Sequence, residues 1–389
     1  MEVFFNSTPL SNASITDDCD YTLSALEIQQ SMYNPYRSMQ WIMVIAVPLI
    51  LICGVGGNMA FLLVLYRVPQ MRNDTNFYLG NLAIADVSYL VIAGTRYLIA
   101  YGRSPVMFLS FPFYTNIGCA LPTYLVNTSY FASVWLVTLV AAERYLAICR
   151  PMRHMVIRAG KRRAVKLVIL AWLSAGIMAA FAAPFGPGLT ICVRRQHVDD
   201  VILVFTSCAA TCRWCGLLLQ AIDCVQFNVA FWLNLFLYSR IILTLNSRPS
   251  VIDYSSSSVK YKTSPAASSA TMATTTTMMK RHVIPKRSSS DIKMYQDRNQ
   301  VARMLVVNVL VFFLCLFPFS VVYNLTELLA AWSGGDYSFL LTQEQSRWMS
   351  WVGKLTALIN SAVNPFIYSM CNRRYRMAFQ KGIRCCRNS

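Results

Sequence analysis

Apolar residues in this chain gather in seven long tracts, roughly 41–66, 77–101, 117–142, 164–185, 224–245, 304–332 and 348–370. The segments between them carry most of the charge. Crossing the hydrocarbon of a bilayer takes about 20 mostly apolar residues in a helix, so each tract predicts one span. The expected fold is an all-α membrane protein, a seven-transmembrane helix bundle whose two ends lie on opposite sides. An eighth stretch, 201–222, is also apolar and long enough to span, but Cys208, Cys212, Cys215, Arg213 and the neighbouring Asp223 predict a packed, disulfide-tied loop instead. The β-branched runs on either side of "RRQHVDD" read as a β-hairpin in that loop.

Composition agrees with the pattern: 56% of residues are hydrophobic, only 13% are charged and the mean hydropathy is +0.43, too much apolar surface for one soluble core. Charge then sets orientation, because Lys and Arg resist translocation. With the C-terminus taken as cytoplasmic, the inner segments hold 25 basic residues and the outer ones 6. The expected location is therefore the plasma membrane, multi-pass, with the N-terminus extracellular. The net charge of +18 is a property of the cytoplasmic face and calls for no nucleic acid. Asn6 and Asn12 begin glycosylation triplets in the outer tail. Residues 1–25 lack a basic start and an apolar stretch, so the first span is expected to serve as its own insertion signal.

These features divide the chain into an extracellular tail over 1–40, spans 1 to 5 over 41–246, a disordered Ser/Thr-rich third cytoplasmic loop over 247–295, spans 6 and 7 over 296–370, and a short cytoplasmic tail over 371–389. In the tail, Tyr375 and Phe379 share one helical face among Arg373, Arg374, Arg376 and Lys381, which predicts an amphipathic helix lying on membrane lipids. Cys385 and Cys386 follow where palmitoyl chains would enter the bilayer. Disulfides persist only on the oxidising side. A bridge from Cys119 at the outer end of span 3 to the 186–223 loop, with Cys208 the first choice of partner, would tie that loop over the bundle mouth. The pairing itself is not deducible from sequence. There is no Gly-rich phosphate loop, no metal-spaced His/Cys set and only three His, so neither an enzyme nor a metal site is expected.

Polar residues inside spans are costly and are functional hypotheses by default. Asn58 lies in span 1, Asp86 in span 2, and Asn360, Ser361 and Asn364 precede Pro365 in span 7. They read equally as interhelical hydrogen-bond glue and as a sodium- or proton-responsive cluster around Asp86. A sodium ion there is the only cofactor considered. Pro318 and Pro365 each remove a backbone hydrogen bond and predict kinks. In "ERYLAICRP", Glu143 and Arg144 sit where hydrocarbon gives way to water, and Glu143 is expected to compensate Arg144.

Gly57-Asn58, "NLAIAD" with Asp86, Cys119, "ERY" at 143–145, Trp172, "NPFIY" at 364–368 and the basic "NRRYRMAF" occur in order, one set per expected span. Together they resemble the signature set of rhodopsin-like G-protein-coupled receptors over nearly the whole chain. The resemblance implies that Glu143, Arg144 and Tyr145 belong to the surface that receives a heterotrimeric G protein, that Tyr238 and Tyr368 swing beneath Arg144, and that Asn364 and Pro365 form the span 7 hinge. Arrestin and receptor kinases are implied as further partners. Departures stand at Leu316, where the family usually has Trp, at Ala230, where span 5 usually has Pro, and at Arg298 with Asp297 beside it, where an acid often pairs with the span 3 arginine.

Receptors for amines place an aspartate at the position of Val126, which argues against an amine held that way. The cysteine-rich outer loop and the span 7 motif look most like neuropeptide receptors, in the neighbourhood of the neuromedin U, thyrotropin-releasing-hormone and ghrelin receptors. Counted from Asp86 and Pro365, Arg96 and Lys354 lie about three turns toward the outer end, near Tyr97, Tyr130, Phe319 and Tyr323, with Glu327 a candidate partner for either cation. The expected ligand is an extracellular peptide offering a carboxylate or carbonyl. A small acidic or lipid-like ligand is the alternative. A transporter or channel is the competing class, but no matching halves are visible.

Overall fold

The computed structural model describes residues 21–24, 41–103, 115–158, 163–182, 185–194, 201–210, 213–246, 289–318, 320, 324 and 343–387. Five helices, Ile42–Arg67, Asp74–Ile99, Asn116–Cys149, Trp214–Leu245 and Gln300–Phe317, are long and apolar enough to cross a membrane. They are spans 1, 2, 3, 5 and 6. Span 4 is the shorter helix Arg163–Ala179, extended by a 3-10 turn over Ala180–Ala182. Span 7 is the amphipathic helix Gln343–Cys371, which runs through Pro365. A short helix, Pro151–Arg158, follows span 3, and the tail forms a helix over Arg373–Arg387.

Spans 1 and 2 each contain one π-helical turn, at Ile42–Ala46 and Leu90–Gly94. Such a turn inserts an extra residue per circuit and rotates everything beyond it. Arg96 and Tyr97 lie just beyond the second one. Glycine makes the close approach of spans 1, 2 and 7 possible: a Cβ on Gly94 would fall 2.3 Å from Leu51 Cδ2, and one on Gly54 would fall 2.7 Å from both Ala362 Cβ and Leu90 Cδ1. In span 6 the regular α-helix runs to Phe317 and gives way to a π turn at Pro318, whose ring supplies no N–H to the helix ladder.

Buried side chains from all seven spans, among them Phe61, Leu82, Phe131, Val168, Phe227, Phe312 and Leu358, form one continuous core. Polar contacts cross it. Gln226 Nε2 of span 5 donates to the Phe131 carbonyl of span 3 at 3.0 Å, and Asn234 Nδ2 donates to Thr138 Oγ1 at 2.8 Å. Contacts of this kind in membranes contribute about 0.6–2 kcal/mol each. Leu316 and Ala230, at the two departures from the family pattern, are both fully buried.

Three strands form a small sheet at the end of the bundle that carries Cys119. β2 (Phe185–Arg194) and β3 (Val201–Ala210) pair antiparallel, and β1 (Tyr21–Ser24) pairs parallel to β2, Tyr21 opposite Ile191. Beyond β3 the outcome differs from the loop expected over 201–222. Helix begins at Arg213 and runs unbroken to Asn246, 34 residues in all. The apolar residues 214–222 extend span 5 outward by two to three turns, because continuing a helix costs less than starting one. At the other end of the third loop, helix is established from Ser289; the rest of that loop lies outside the described residues, as do Asn6 and Asn12.

Candidate functional site

Three polar regions lie along the bundle. At the Cys119 end, the π turn in span 2 brings Arg96 to span 3, where its Nη1 donates to Thr123 Oγ1 at 3.3 Å. Thr123 in turn donates to the Cys119 carbonyl at 2.8 Å, so its hydroxyl is held with a lone pair toward Arg96. In span 7, Lys354 Nζ lies 4.7 Å above the Trp351 ring, a cation–π arrangement. Trp351 meets Tyr97 edge-on at 6.0 Å, and the two cations are close enough to repel one another. Beside them is a small apolar cavity of about 40 Å³ lined by Met43, Val47, Tyr97, Trp348, Trp351 and Leu355, among others.

Spans 3, 5 and 6 carry a further group, one that sequence reasoning placed in a loop. Asp223 of span 5 is 7% exposed. Its carboxylate accepts from Asn324 Nδ2 and, at 3.5 Å, from Ser320 Oγ. Ser320 also shares a 2.5 Å hydrogen bond with Tyr130 of span 3. Spans 3, 5 and 6 therefore meet at one buried acid. Its signal was the three-residue spacing of Gln220, Asp223 and Gln226, visible only if span 5 starts before 224. Phe319, Tyr323 and Glu327 lie outside the described residues.

Cys119 and Cys215 each take part in a disulfide. The strand pairing sets Cys208 opposite Pro187, and the Cys208 side chain lies outside the described residues.

In the middle of the bundle, Asn364 Nδ2 donates to Asp86 Oδ2 at 2.7 Å. Asn58 Nδ2 bridges the Gly54 carbonyl of its own helix and the Ser361 carbonyl of span 7, both at 2.9 Å. Asp86 Oδ1, Asn58 Oδ1 and Asn360 Oδ1 are buried without a hydrogen-bond partner. Oxygen-only acceptors around one carboxylate suit a hard cation better than a transition metal.

At the Arg144 end, Glu143 departs from the expected pairing within "ERY". Its Oε1 meets His154 Nε2 at 2.6 Å and its Oε2 lies 3.7 Å from Arg163 Nη1. Arg144 donates to Thr75 of span 2. The reason is helical geometry: consecutive side chains point about 100° apart and do not face each other. Glu143 thus ties span 3 to the helix that follows it and to span 4. Tyr145 is half-buried, packed against the core. Tyr238 and Tyr368 are buried, and their hydroxyls have no hydrogen-bond partner. Asp297 and Arg298 lie on the span 6 helix with side chains outside the described set.

The tail helix turns the Tyr375–Phe379 face, expected on lipid, against the bundle. Tyr375 and Phe379 pack on Phe61 at 6.3 and 6.2 Å between ring centres, Tyr375 donates to Asn76 Oδ1, and Arg374 Nη2 donates to the Gln70 carbonyl at 2.9 Å. Burial pushes the Tyr375 phenol up to about 12. The side chains of Cys385 and Cys386, in the last turns of this helix, lie outside the described residues.

The pattern that defines the "7 transmembrane receptor (rhodopsin family)" matches residues 57–368. Similar proteins include the thyrotropin-releasing hormone receptor of Gallus gallus, 28% identical over 95% of this chain and 84% of the relative, and neuromedin-U receptor 2 of Rattus norvegicus, 28% identical over 95% and 83%. The cholecystokinin receptor type A of Homo sapiens is 26% identical over 98% and 90%. With that match covering well over half its length, and Asn58, Asp86, Arg144 and the span 7 Asn364-Pro365 pair set in one bundle, the chain belongs to the rhodopsin family of seven-transmembrane receptors.

Proposed function

We propose that the chain is a plasma-membrane receptor, N-terminus outside and C-terminus in the cytoplasm, that binds an extracellular peptide at the Cys119 end and activates a heterotrimeric G protein at the Arg144 end. Its relatives are named for thyrotropin-releasing hormone, neuromedin U and cholecystokinin, and are peptide receptors. The observation that carries the ligand reading is the pair Arg96 and Lys354 beside Tyr97 and Trp351. Two cations on aromatic walls favour a ligand with a carboxylate or a C-terminal carbonyl. Tyr130 and the span 6 residues Phe319, Tyr323 and Glu327 complete the pocket in this reading.

At the other end, Arg144 leaves Thr75 for the G protein when span 6 moves outward. Glu143 and Tyr145 hold the surrounding surface, Tyr238 and Tyr368 turn their unpartnered hydroxyls toward the freed arginine, and Pro365 is the hinge. A sodium ion at Asp86 Oδ1, with Asn58 and Asn360 as neighbours, stabilises the resting arrangement. Glycans on Asn6 and Asn12, a bridge between Cys119 and Cys208, acyl chains on Cys385 and Cys386 in the lipid surface, and receptor-kinase sites in the third loop read by arrestin belong to the same proposal.

A second reading is a small acidic or lipid-like ligand, favoured by the apolar cavity beside Lys354. Cells expressing the chain, challenged with a neuropeptide library and a fatty-acid panel while several G-protein sensors are recorded, separate the two. A peptide response supports the first, a response confined to the acids the second, and silence of every sensor to both sets refutes coupling.

A further inference from the structure

Gln220, Asp223 and Gln226 follow one another at three-residue spacing on span 5. Asp223 and Gln226 are 7% and 3% exposed. Among the described residues, the groups that hydrogen-bond the Asp223 carboxylate are neutral: the Asn324 amide, the Ser320 hydroxyl and the Tyr130 phenol. Among the described residues, no Lys, Arg or His lies within ion-pairing distance of it. Gln226 spends its amide N–H on the Phe131 carbonyl, which leaves its Oε1 buried with no partner, and Gln220 Oε1 is buried without one too.

One carboxylate and two orphaned carbonyl oxygens therefore occupy consecutive turns of a helix inside a bundle. A buried charge is costly unless it is paired, and an acceptor left unmade loses what water gave it. The complement to this arrangement is a group that carries positive charge and several N–H donors together. A planar guanidinium or amidinium answers it better than a compact ammonium, since its donors fan out in one plane to several acceptors. The neighbouring walls suit a flat cation as well: Tyr130 and Phe131 meet at 5.5 Å, and Phe227, one turn along from Asp223, packs edge-on to Phe313 at 5.4 Å.

We infer that Asp223, flanked by Gln220 and Gln226, forms a cation subsite between spans 3, 5 and 6 that takes a guanidinium or amidinium group. With Arg96 on span 2 and Lys354 on span 7, it makes the pocket bipolar. On the peptide reading above, the ligand presents an arginine-like group to span 5 and an acidic or carbonyl group to spans 2 and 7. The subsite itself rests on the contacts of Asp223 and Gln226 with spans 3 and 6 and stands whether or not the natural ligand is a peptide.

The test uses the purified full-length receptor in lipid nanodiscs, with benzamidine as probe and the neutral isostere benzamide as control. Thermal unfolding is followed by tryptophan fluorescence. Benzamidine is expected to raise the unfolding midpoint in a saturable manner and benzamide to leave it unchanged. Asp223→Asn should abolish the benzamidine shift, Asp223→Glu should retain part of it, and Gln226→Leu should weaken it. The wild-type comparison of the two probes needs no variant to fold. Equal shifts from both probes, no shift from benzamidine, or a full shift in Asp223→Asn overturns the subsite. None of these results bears on the peptide reading, which fails instead if the sensor screen stays silent.

Discussion

Asn364 donates its amide to one oxygen of Asp86 at 2.7 Å, joining span 7 to span 2 one residue before Pro365. The other oxygen, Oδ1, is buried without a partner, and so are the side-chain oxygens of Asn58 and Asn360. The proposed sodium ion at these oxygens would hold the hinge still, and that is testable. Replacing sodium by N-methylglucamine is expected to raise ligand-independent nucleotide exchange in wild-type membranes. Asp86→Asn, which removes the charge and keeps the shape, should remove that dependence. The same sodium response in both proteins would place the ion elsewhere.

The His154–Glu143–Arg163 contact predicts an effect on basal activity. Glu143 is nearly buried while His154 and Arg163 are more exposed, so the set belongs among modest ion pairs of about 0–1 kcal/mol. Its loss frees the helix after span 3 from spans 3 and 4. Glu143→Gln and His154→Ala should each raise ligand-independent exchange roughly two- to fivefold, the change that about 0.4–1 kcal/mol produces at 1.4 kcal/mol per decade. The double variant should do no more than the stronger single one, because both remove the same bond. Additive effects would mean that the two residues act separately.

On the proposed function, phosphorylation is expected in the third loop, whose residues 247–295 are rich in Ser and Thr. "KRSSS" at 286–290 sets basic residues before acceptors, and each phosphate would add about −1.5 to −2 charges to a basic segment. Since helix begins at Ser289, deletion of 255–288 leaves span 6 intact. That deletion should cut agonist-driven arrestin recruitment while sparing G-protein activation. Undiminished recruitment sinks the assignment.

Much of the architecture was legible because a bilayer enforces it. Apolar length, the charge asymmetry and the ordered motifs each point to the bundle, and the membrane tolerates few alternatives. That Tyr375 and Phe379 share a face of the tail helix was legible from their four-residue spacing; that both reach Phe61 rather than lipid was not. What escaped were relations between segments. The cysteines near Arg213 drew the boundary of span 5 too late, and Asp223 was lost from the pocket with it. Glu143 and Arg144 look paired in a string of letters, yet the acid meets His154 eleven residues on. The π turn at Leu90–Gly94, which aims Arg96, follows from the packing of Gly94 against Leu51 and has no mark in span 2 alone.

On the proposed peptide reading, the strongest demand on the ligand comes from Arg96 and Lys354. Arg96 is braced by Thr123, and Lys354 is held over Trp351, so both cations are positioned before anything binds and little ordering cost remains for the ligand to meet. Placing two like charges in one region of low dielectric is unfavourable until an anion or a carbonyl dipole arrives. A charge-assisted contact of this kind contributes roughly 1.5–3 kcal/mol. For the active peptide found in the sensor screen, Arg96→Gln or Lys354→Gln should shift the concentration–response curve to higher concentration by about one to two decades, at 1.4 kcal/mol per decade, with surface expression unchanged. Truncating the acidic or carbonyl group of that peptide should cost wild type the same factor and cost the affected variant little more, since the partner is already gone. If both variants reach the surface and respond at the wild-type concentration, Arg96 and Lys354 brace the helices rather than bind, and Tyr97, Tyr130 and the Asp223 cluster hold the ligand.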